Sequence, residues 1–178
     1  GDHEIEIQLL KEEKPVCQAL MKIHVIGTVL PKQKIMHTEW MHADCLADYY
    51  HVDVFSEEHW EILDNYFEEY VKRGGNMMLV PLFTSPLDTA VGLDRTTTQL
   101  IDVRVENGTY QFGFDKLRRW IDLCQKHGIE YYEMSHLFSQ WGARYAPKVV
   151  ASVAEAGGEM QKIFGWHTPA TGEYTRFL

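Results

Sequence analysis

The sequence predicts an α/β protein that forms the first three βα steps of a partial (β/α)8 barrel of the TIM type, preceded by further β-strands. A helical pattern over 57–73 is followed at once by an apolar, strand-like run at 76–83. The same order of helix and strand recurs over 115–135. The chain has 178 residues, whereas a whole barrel has about 250. We therefore expect the opening part of a barrel, with right-handed crossovers.

The first thirty residues predict strands rather than helices. Runs at Glu4–Leu9 and Ala19–Ile26 show partial period-two alternation on either side of a turn at Glu12–Pro15. They indicate a hairpin or the last strands of a larger sheet. Lys34–Trp40 predicts the next strand, and a polar, aromatic loop is expected from there to Phe55.

The first long helix has clear signals at both ends. Ser56 is a suitable N-cap, Glu57 and Glu58 favour the positive end of the helix dipole, and Gly74-Gly75 ends the helix. Its predicted apolar face comprises Trp60, Leu63, Phe67, Tyr70 and Val71. The apolar run 76–83 then predicts a parallel strand covered on both faces.

A hairpin is predicted inside the following βα connection. The runs 100–105 and 109–112 flank Asn107-Gly108, a dipeptide that favours a type I′ turn. Asp115 is expected to cap the second helix, which ends at Gly128 and precedes a strand at 129–135. Its inward residues are predicted to be Leu117, Trp120, Ile121 and Cys124 or Leu123.

The C-terminal pattern is weaker. The runs 149–153 and 160–164 are expected to pair across Gly157-Gly158, and 173–178 predicts the first turn of a helix.

Composition narrows the class of protein. The formal net charge is −9 and the basic residues are scattered, which argues against a nucleic-acid partner. No apolar run is long enough for a membrane span, and no leader pattern is present, so the sequence fits a cytoplasmic or a secreted protein. The three cysteines, Cys17, Cys45 and Cys124, are widely spaced and are expected to be buried apolar residues.

The residues that follow the predicted strands are unusually polar. In parallel α/β folds the ligand lies at the C-terminal ends of the strands, so these residues should converge on one rim. The predicted substrate contacts are Glu39, Trp40, His42 and Asp44 after the first strand, Asp88 and Arg95 after the second, and Glu133, His136, Gln140 and Trp141 after the third. Thr84 and Ser85 also follow the second strand.

This mixture suits a carbohydrate. Carboxylates and imidazoles hydrogen-bond sugar hydroxyls, and indole faces cover the apolar side of a sugar ring. Trp40 and Trp141 are the predicted stacking residues.

A metal site is the weaker interpretation of the same region. Its potential ligands are His37, Glu39, His42, Asp44, His51 and Asp53, but neither an HExxH motif nor a helical pair of histidines occurs. No metal or other cofactor is predicted.

Three separated motifs resemble the catalytic domain of glycoside hydrolase family 123-like proteins. They are His37–Tyr50, Pro86–Thr89 and Ser135–Ala143, and the resemblance extends from about residue 30 to residue 178. It implies a (β/α)8 barrel preceded by a β-sandwich, so that residues 1–30 would be the terminal strands of the sandwich and residues 31–178 the first part of the barrel.

The resemblance also implies an activity. Family members release β-linked N-acetylgalactosamine with retention, through the acetamido group of the substrate, while an adjacent Asp-Glu pair polarises that group and protonates the leaving oxygen. This sequence contains no Asp-Glu dipeptide, so no catalytic residue is assigned. We expect a fragment of a glycosidase for β-linked N-acetylhexosaminides that is inactive by itself. The alternative is a non-catalytic carbohydrate-binding or structural module.

An incomplete barrel leaves strand edges unpaired. We therefore expect either self-association through these edges or closure of the sheet by residues 1–30.

Overall fold

The computed structural model describes residues 1–32, 34–85, 89–90, 92–139 and 142–178, and the chain divides into two units between residues 32 and 33. Within the described residues, the elements in chain order are β1 (Asp2–Lys11), β2 (Lys14–His24), α1 (Ala43–Tyr50), α2 (Glu57–Lys72), β3 (Met77–Val80), β4 (Asp102–Glu106), β5 (Thr109–Gly113), α3 (Asp115–Lys126), β6 (Tyr131–Met134), β7 (Val149–Val153), β8 (Glu159–Phe164) and α4 (Glu173–Phe177).

The first unit is the predicted hairpin. Strands β1 and β2 pair antiparallel around Glu12 and Glu13, which both have positive φ angles. One face is apolar, with Ile5 opposite Met21 and Ile7 opposite Ala19, and these side chains are exposed. Among the described residues this sheet consists of the two strands β1 and β2.

Parallel pairing in the second unit involves β3 and β6. Met77 is opposite Tyr131 and Val80 is opposite Met134. The strand predicted at 34–40 is reduced to a single parallel bridge from Thr38 to Met77. The prediction that β3 is covered on both faces is confirmed over its last three residues, which are at most 1% exposed.

Segment 41–55, predicted to be a loop, contains a helix instead. In α1, Ala43, Asp44 and Ala47 form the buried side, and the aromatic residues Tyr49 and Tyr50 are exposed. The buried side therefore carries two small residues and one charge, a pattern that gives little helical signal in the sequence.

The two long helices were predicted nearly as they occur. Ser56 Oγ accepts a hydrogen bond from the backbone N–H of His59, which confirms the N-cap of α2. In α3 the cap position is taken by Phe114, and Asp115 instead pairs with Arg118 in the first turn. The prediction of Asp115 as the cap was therefore wrong by one residue.

The long helices pack together on one face of the parallel strands. Arg119 makes two 2.6 Å hydrogen bonds to Glu57, and its guanidinium carbon lies 4.6 Å from the centroid of the Trp60 ring. The buried residues of this core include Trp60, Leu63, Phe67, Met78, Val80, Trp120 and Cys124.

The second sheet has the strand order β5-β4-β7-β8. Both predicted hairpins are confirmed, and Asn107 and Gly108 have the positive φ angles expected of a type I′ turn. The sequence did not predict that β4 pairs parallel with β7, which joins the hairpins. Tyr174 and Phe177 of α4 pack into the core of this sheet.

The exposure of the cysteines and the length of the helices can also be compared with the predictions. Cys124 is buried as predicted, whereas Cys17 and Cys45 are exposed, because they lie on the open hairpin and on the outer side of α1. No helix in the described ranges has the length and apolar character needed to cross a bilayer.

Candidate functional site

Trp40, Glu133 and His136 come together at the C-terminal ends of the parallel segments. The Trp40 indole N–H donates to Glu133 Oε2 at 3.0 Å. The rings of Trp40 and His136 meet edge to face, with 5.5 Å between centroids. Trp40 remains 43% exposed, so its ring is available to a ligand. We call these three residues the indole cluster.

The strand register explains how this cluster forms. Leu79 is opposite Glu133, and the parallel bridge from Thr38 to Met77 brings the chain just before Trp40 alongside β3. Met78 and Val80 pack against the helices, so the alternation along the strand directs Leu79 to the opposite face. The hydrogen bond from Trp40 to Glu133 therefore crosses β3, and the Trp40 side chain also borders Tyr66 and Tyr70 of α2.

A buried ion pair lies beside the same strand end. Arg95 Nε donates to Asp44 Oδ2 at 2.8 Å and Arg95 Nη2 donates to Asp44 Oδ1 at 3.2 Å, with side-chain exposures of 10% and 7%. Burial lowers the pKa of the Arg95 guanidinium, but the hydrogen bond and the charge of Asp44 outweigh burial and raise that pKa overall. The Arg95 guanidinium therefore keeps its positive charge despite its burial.

This pair forms one wall of a small polar pocket. Thr84 Oγ1 accepts the backbone N–H of Thr98 at 3.0 Å. Ser85 Oγ is buried and has no hydrogen-bond partner among the described residues, an arrangement that costs about 1–3 kcal/mol. The polar residues that line the pocket are His42, Asp44, Thr84, Ser85, Arg95 and Thr98.

The second sheet holds the segment that carries Arg95. We call residues 93–99 the clamped segment. Residues of the C-terminal part of the chain hold it by hydrogen bonds, and we call these residues its anchors. Lys162 donates to the Asp94 carboxylate, Trp166 Nε1 donates to the Leu93 carbonyl, and Lys148 donates to the Arg95 carbonyl. The Gln99 side chain also exchanges two hydrogen bonds with the Val150 backbone. The position of Arg95 is thus fixed from the side of the sheet as well as by Asp44.

His59 fixes the other partner of the ion pair. Its Nδ1 accepts the Phe55 backbone N–H at 2.9 Å, so Nε2 carries the proton and donates to the Ala43 carbonyl at 3.0 Å. Burial lowers the pKa of this imidazole, and it outweighs the opposing effects of the Ala43 carbonyl and the Asp44 charge. A neutral His59 therefore ties the start of α1 to α2.

This histidine predicts a pH dependence of stability. Because the folded state lowers the pKa of His59, its contribution is fully present above the unfolded pKa of about 6.5 and is lost as the pH falls through the lower folded pKa. We expect the free energy of unfolding to decrease as the pH falls below about 6.5, and His59 contributes at most about 1.4 kcal/mol per pH unit to this decrease. Denaturant titrations between pH 7.5 and pH 5 measure it.

The matched variants are His59→Gln and His167→Gln. A glutamine amide at position 59 can still donate to Ala43 but does not titrate, so the slope should decrease. His167 is exposed, and its substitution should leave the slope unchanged. An identical slope in His59→Gln and the wild-type chain would contradict the assignment.

The model of the glycoside hydrolase 123 catalytic domain matches residues 40–178, more than half of the chain. The chain belongs to the glycoside hydrolase family 123 catalytic domain family. This confirms the resemblance stated from the three motifs. A comparison with curated proteins gave no match.

A solved structure of the same family has a similar fold. It is the structure of a family 123 glycoside hydrolase from Clostridium perfringens, described in connection with glycolipid glycan hydrolysis. Its TM-score to this chain is 0.65, at 20% sequence identity. The similarity covers 99% of this chain and 32% of that one, so the chain spans about a third of the length of that family 123 structure.

The predicted contacts in this family 123 chain fall into two groups. Trp40, Glu133 and His136 form the indole cluster, and His42, Asp44 and Arg95 line the polar pocket. Glu39 pairs with His37 and, together with Trp40, lines a groove of about 360 Å³ beside Tyr66 and Arg73. Asp88, Gln140 and Trp141 lie outside the described residues.

Sequence reasoning missed Thr98 and the anchors of the clamped segment. Lys148, Lys162 and Trp166 act on this segment from at least 53 residues away, and no local pattern marks them.

The metal interpretation gains no support. In the described part of the chain, no three histidine, cysteine, aspartate or glutamate residues are grouped so as to hold a metal ion. Asp44, one of the potential ligands, pairs with Arg95.

Proposed function

We propose that this chain is the substrate-binding part of a longer glycoside hydrolase that cleaves β-linked N-acetylhexosaminides by substrate-assisted, retaining hydrolysis. Membership in the family supports the reaction class. The relative from Clostridium perfringens is described as acting on glycolipid glycans, which agrees with a glycan substrate. The Asp-Glu pair implied by the resemblance does not occur in this sequence, so the catalytic carboxylates would belong to another part of the protein.

The proposal includes the architecture. Thr38, β3 and β6 run parallel in adjacent positions, and α2 and α3 connect them in the order expected of a (β/α)8 barrel. Residues 31–178 would form the first part of that barrel, and residues 1–30 would be the last strands of a preceding β-sandwich-like region. Self-association through the open strand edges stays a prediction.

The bond from Trp40 to Glu133 is the observation that carries the proposal. It places a 43% exposed indole and a carboxylate at the C-terminal strand ends, where Trp40 also lines a groove with Tyr66 and Tyr70 of α2. A sugar ring can stack on the indole while its hydroxyls donate to the carboxylate. Neither group is needed by the buried core.

We expect Trp40→Ala to weaken binding of methyl N-acetyl-β-galactosaminide to the chain about tenfold, because the stacking surface is lost. Calorimetric titration measures the affinity. Tyr49→Ala removes another exposed aromatic ring, which is on α1, and should leave the affinity unchanged. Equal affinities for Trp40→Ala and the wild-type chain would remove Trp40 from the site.

Catalysis needs a separate test. The full-length protein should release 4-nitrophenol from 4-nitrophenyl N-acetyl-β-galactosaminide, whereas the 178-residue chain should bind the glycoside without releasing it. Failure of the full-length protein to release the product would refute the substrate class. Binding without release by both proteins would support the non-catalytic carbohydrate-binding module instead.

A further inference from the structure

Ser85 differs from the other hydroxyl residues of the polar pocket. Thr84 Oγ1 accepts the Thr98 backbone N–H, and Thr98 Oγ1 donates to the Thr96 carbonyl, so both have structural partners. Ser85 is 6% exposed, and its buried hydroxyl oxygen has no partner in the described ranges. A polar atom in this condition is normally completed by a ligand or a bound water.

The other residues of the polar pocket limit which group can hydrogen-bond to Ser85 Oγ. Asp44 and Arg95 neutralise one another in one wall of the pocket, so this ion pair offers no net charge to attract an ion. The pocket also includes His42, Ala43 and Asp44 at the start of α1, where backbone N–H groups lack intrahelical acceptors. A group that both donates and accepts fits these surroundings better than one that only accepts.

The size of the pocket is the second limit. Its cavity volume is about 10 Å³, which is room for roughly one oxygen-sized group. Leu79 and Pro81 form an apolar wall, and the half-buried residues Met41 and His42 form the more exposed side. Met41 follows Trp40 in the chain and Leu79 is opposite Glu133, so the pocket adjoins the indole cluster.

We propose that the polar pocket is a hydroxyl subsite, in which Ser85 Oγ hydrogen-bonds one hydroxyl group of the sugar that stacks on Trp40. The inference rests on the proposed function and adds to it a residue that determines specificity. The sugar hydroxyl would donate to Ser85 Oγ and accept from the first N–H groups of α1. A sugar that lacks this hydroxyl would leave Ser85 without a partner again.

The test compares sugars that differ by one hydroxyl. The affinities of the full 178-residue chain are measured for methyl N-acetyl-β-galactosaminide and for its 3-deoxy, 4-deoxy and 6-deoxy analogues. We expect the wild-type chain to bind one analogue about 3- to 10-fold more weakly than the parent sugar. Ser85→Ala should show the same loss with the parent sugar and no further loss with that analogue.

Two further variants provide controls. Ser85→Thr keeps the hydroxyl but fills the space with a methyl group, so it should weaken binding of the parent sugar. Ser152→Ala removes a hydroxyl that donates to the Gly158 carbonyl in the second sheet, and it should match the wild-type chain with every sugar. Denaturant unfolding of each variant checks that the fold is kept.

The possible results distinguish failure of the hydroxyl subsite from failure of the proposed function. If the wild-type chain binds none of the sugars, the proposed function and the subsite are both overturned. If it binds them and Ser85→Ala shows the same affinities and the same preferences, only a bound water occupies the pocket. The subsite is then overturned while the proposed function stands.

Discussion

Replacing Asp44 with alanine should lower the free energy of unfolding by about 3–5 kcal/mol, because it leaves the buried Arg95 guanidinium without its carboxylate. Since Asp44 is in the first turn of α1 and Arg95 is in the clamped segment, the same change should loosen the polar pocket between them. Equilibrium unfolding in urea measures the loss of stability. Sugar affinity should also fall.

An exposed ion pair provides the comparison. Arg104 and Glu106 lie 3.5 Å apart with side-chain exposures of 57% and 42%, so Glu106→Ala should cost no more than about 1 kcal/mol. Adding Arg95→Met to Asp44→Ala removes the unpaired charge and should recover part of the loss. If Asp44→Ala lowers the free energy of unfolding as little as Glu106→Ala does, the ion pair between Asp44 and Arg95 does not stabilise the fold.

Replacing Trp120 with alanine should cost about 3–5 kcal/mol, because it empties the centre of the core between the helices and β3. Trp120 is fully buried, and its ring contacts those of Phe55, Trp60 and Phe67. The midpoint temperature of thermal unfolding and the midpoint urea concentration should both decrease.

The indole N–H of Trp120 helps to separate packing from hydrogen bonding. It has no partner in the described part of the chain, so Trp120→Phe should cost much less than Trp120→Ala. Leu93→Ala, at a position 60% exposed, is the surface control and should have little effect. Similar losses for Trp120→Phe and Trp120→Ala would show that the indole N–H is bonded after all.

Elements with local chemical signals could be predicted from the sequence. Ser56 caps α2 because a serine hydroxyl accepts an early N–H, and Asn107-Gly108 turns the hairpin because both residues tolerate positive φ. The strand β3 was evident because it is apolar throughout. These features depend on residues within a few positions of one another.

Elements that depend on distant partners could not be predicted in this way. The helix α1 buries Asp44, which is possible because Arg95 comes from 51 residues away. The parallel pairing of Arg104 with Ser152 joins two hairpins that each look complete in the sequence. The strand predicted at 34–40 forms only the bridge at Thr38.

The candidate site shows the same division. Because parallel strands end on one side of a sheet, Trp40, Glu133 and His136 could be predicted to meet. The hydrogen bond from Trp40 to Glu133 depends on the strand register, which the sequence does not specify. The role of Ser85 is recognisable only once its neighbours are known to be paired elsewhere.

The clamped segment indicates where the proposed sugar site can be altered by mutation. Its hydrogen bonds to Lys148, Lys162 and Trp166 form a frame around Arg95, so we expect mutations at these three positions to displace Arg95 and change the polar pocket. A mutant library aimed at new glycosides should therefore keep this frame intact and vary Met41 and Ser85.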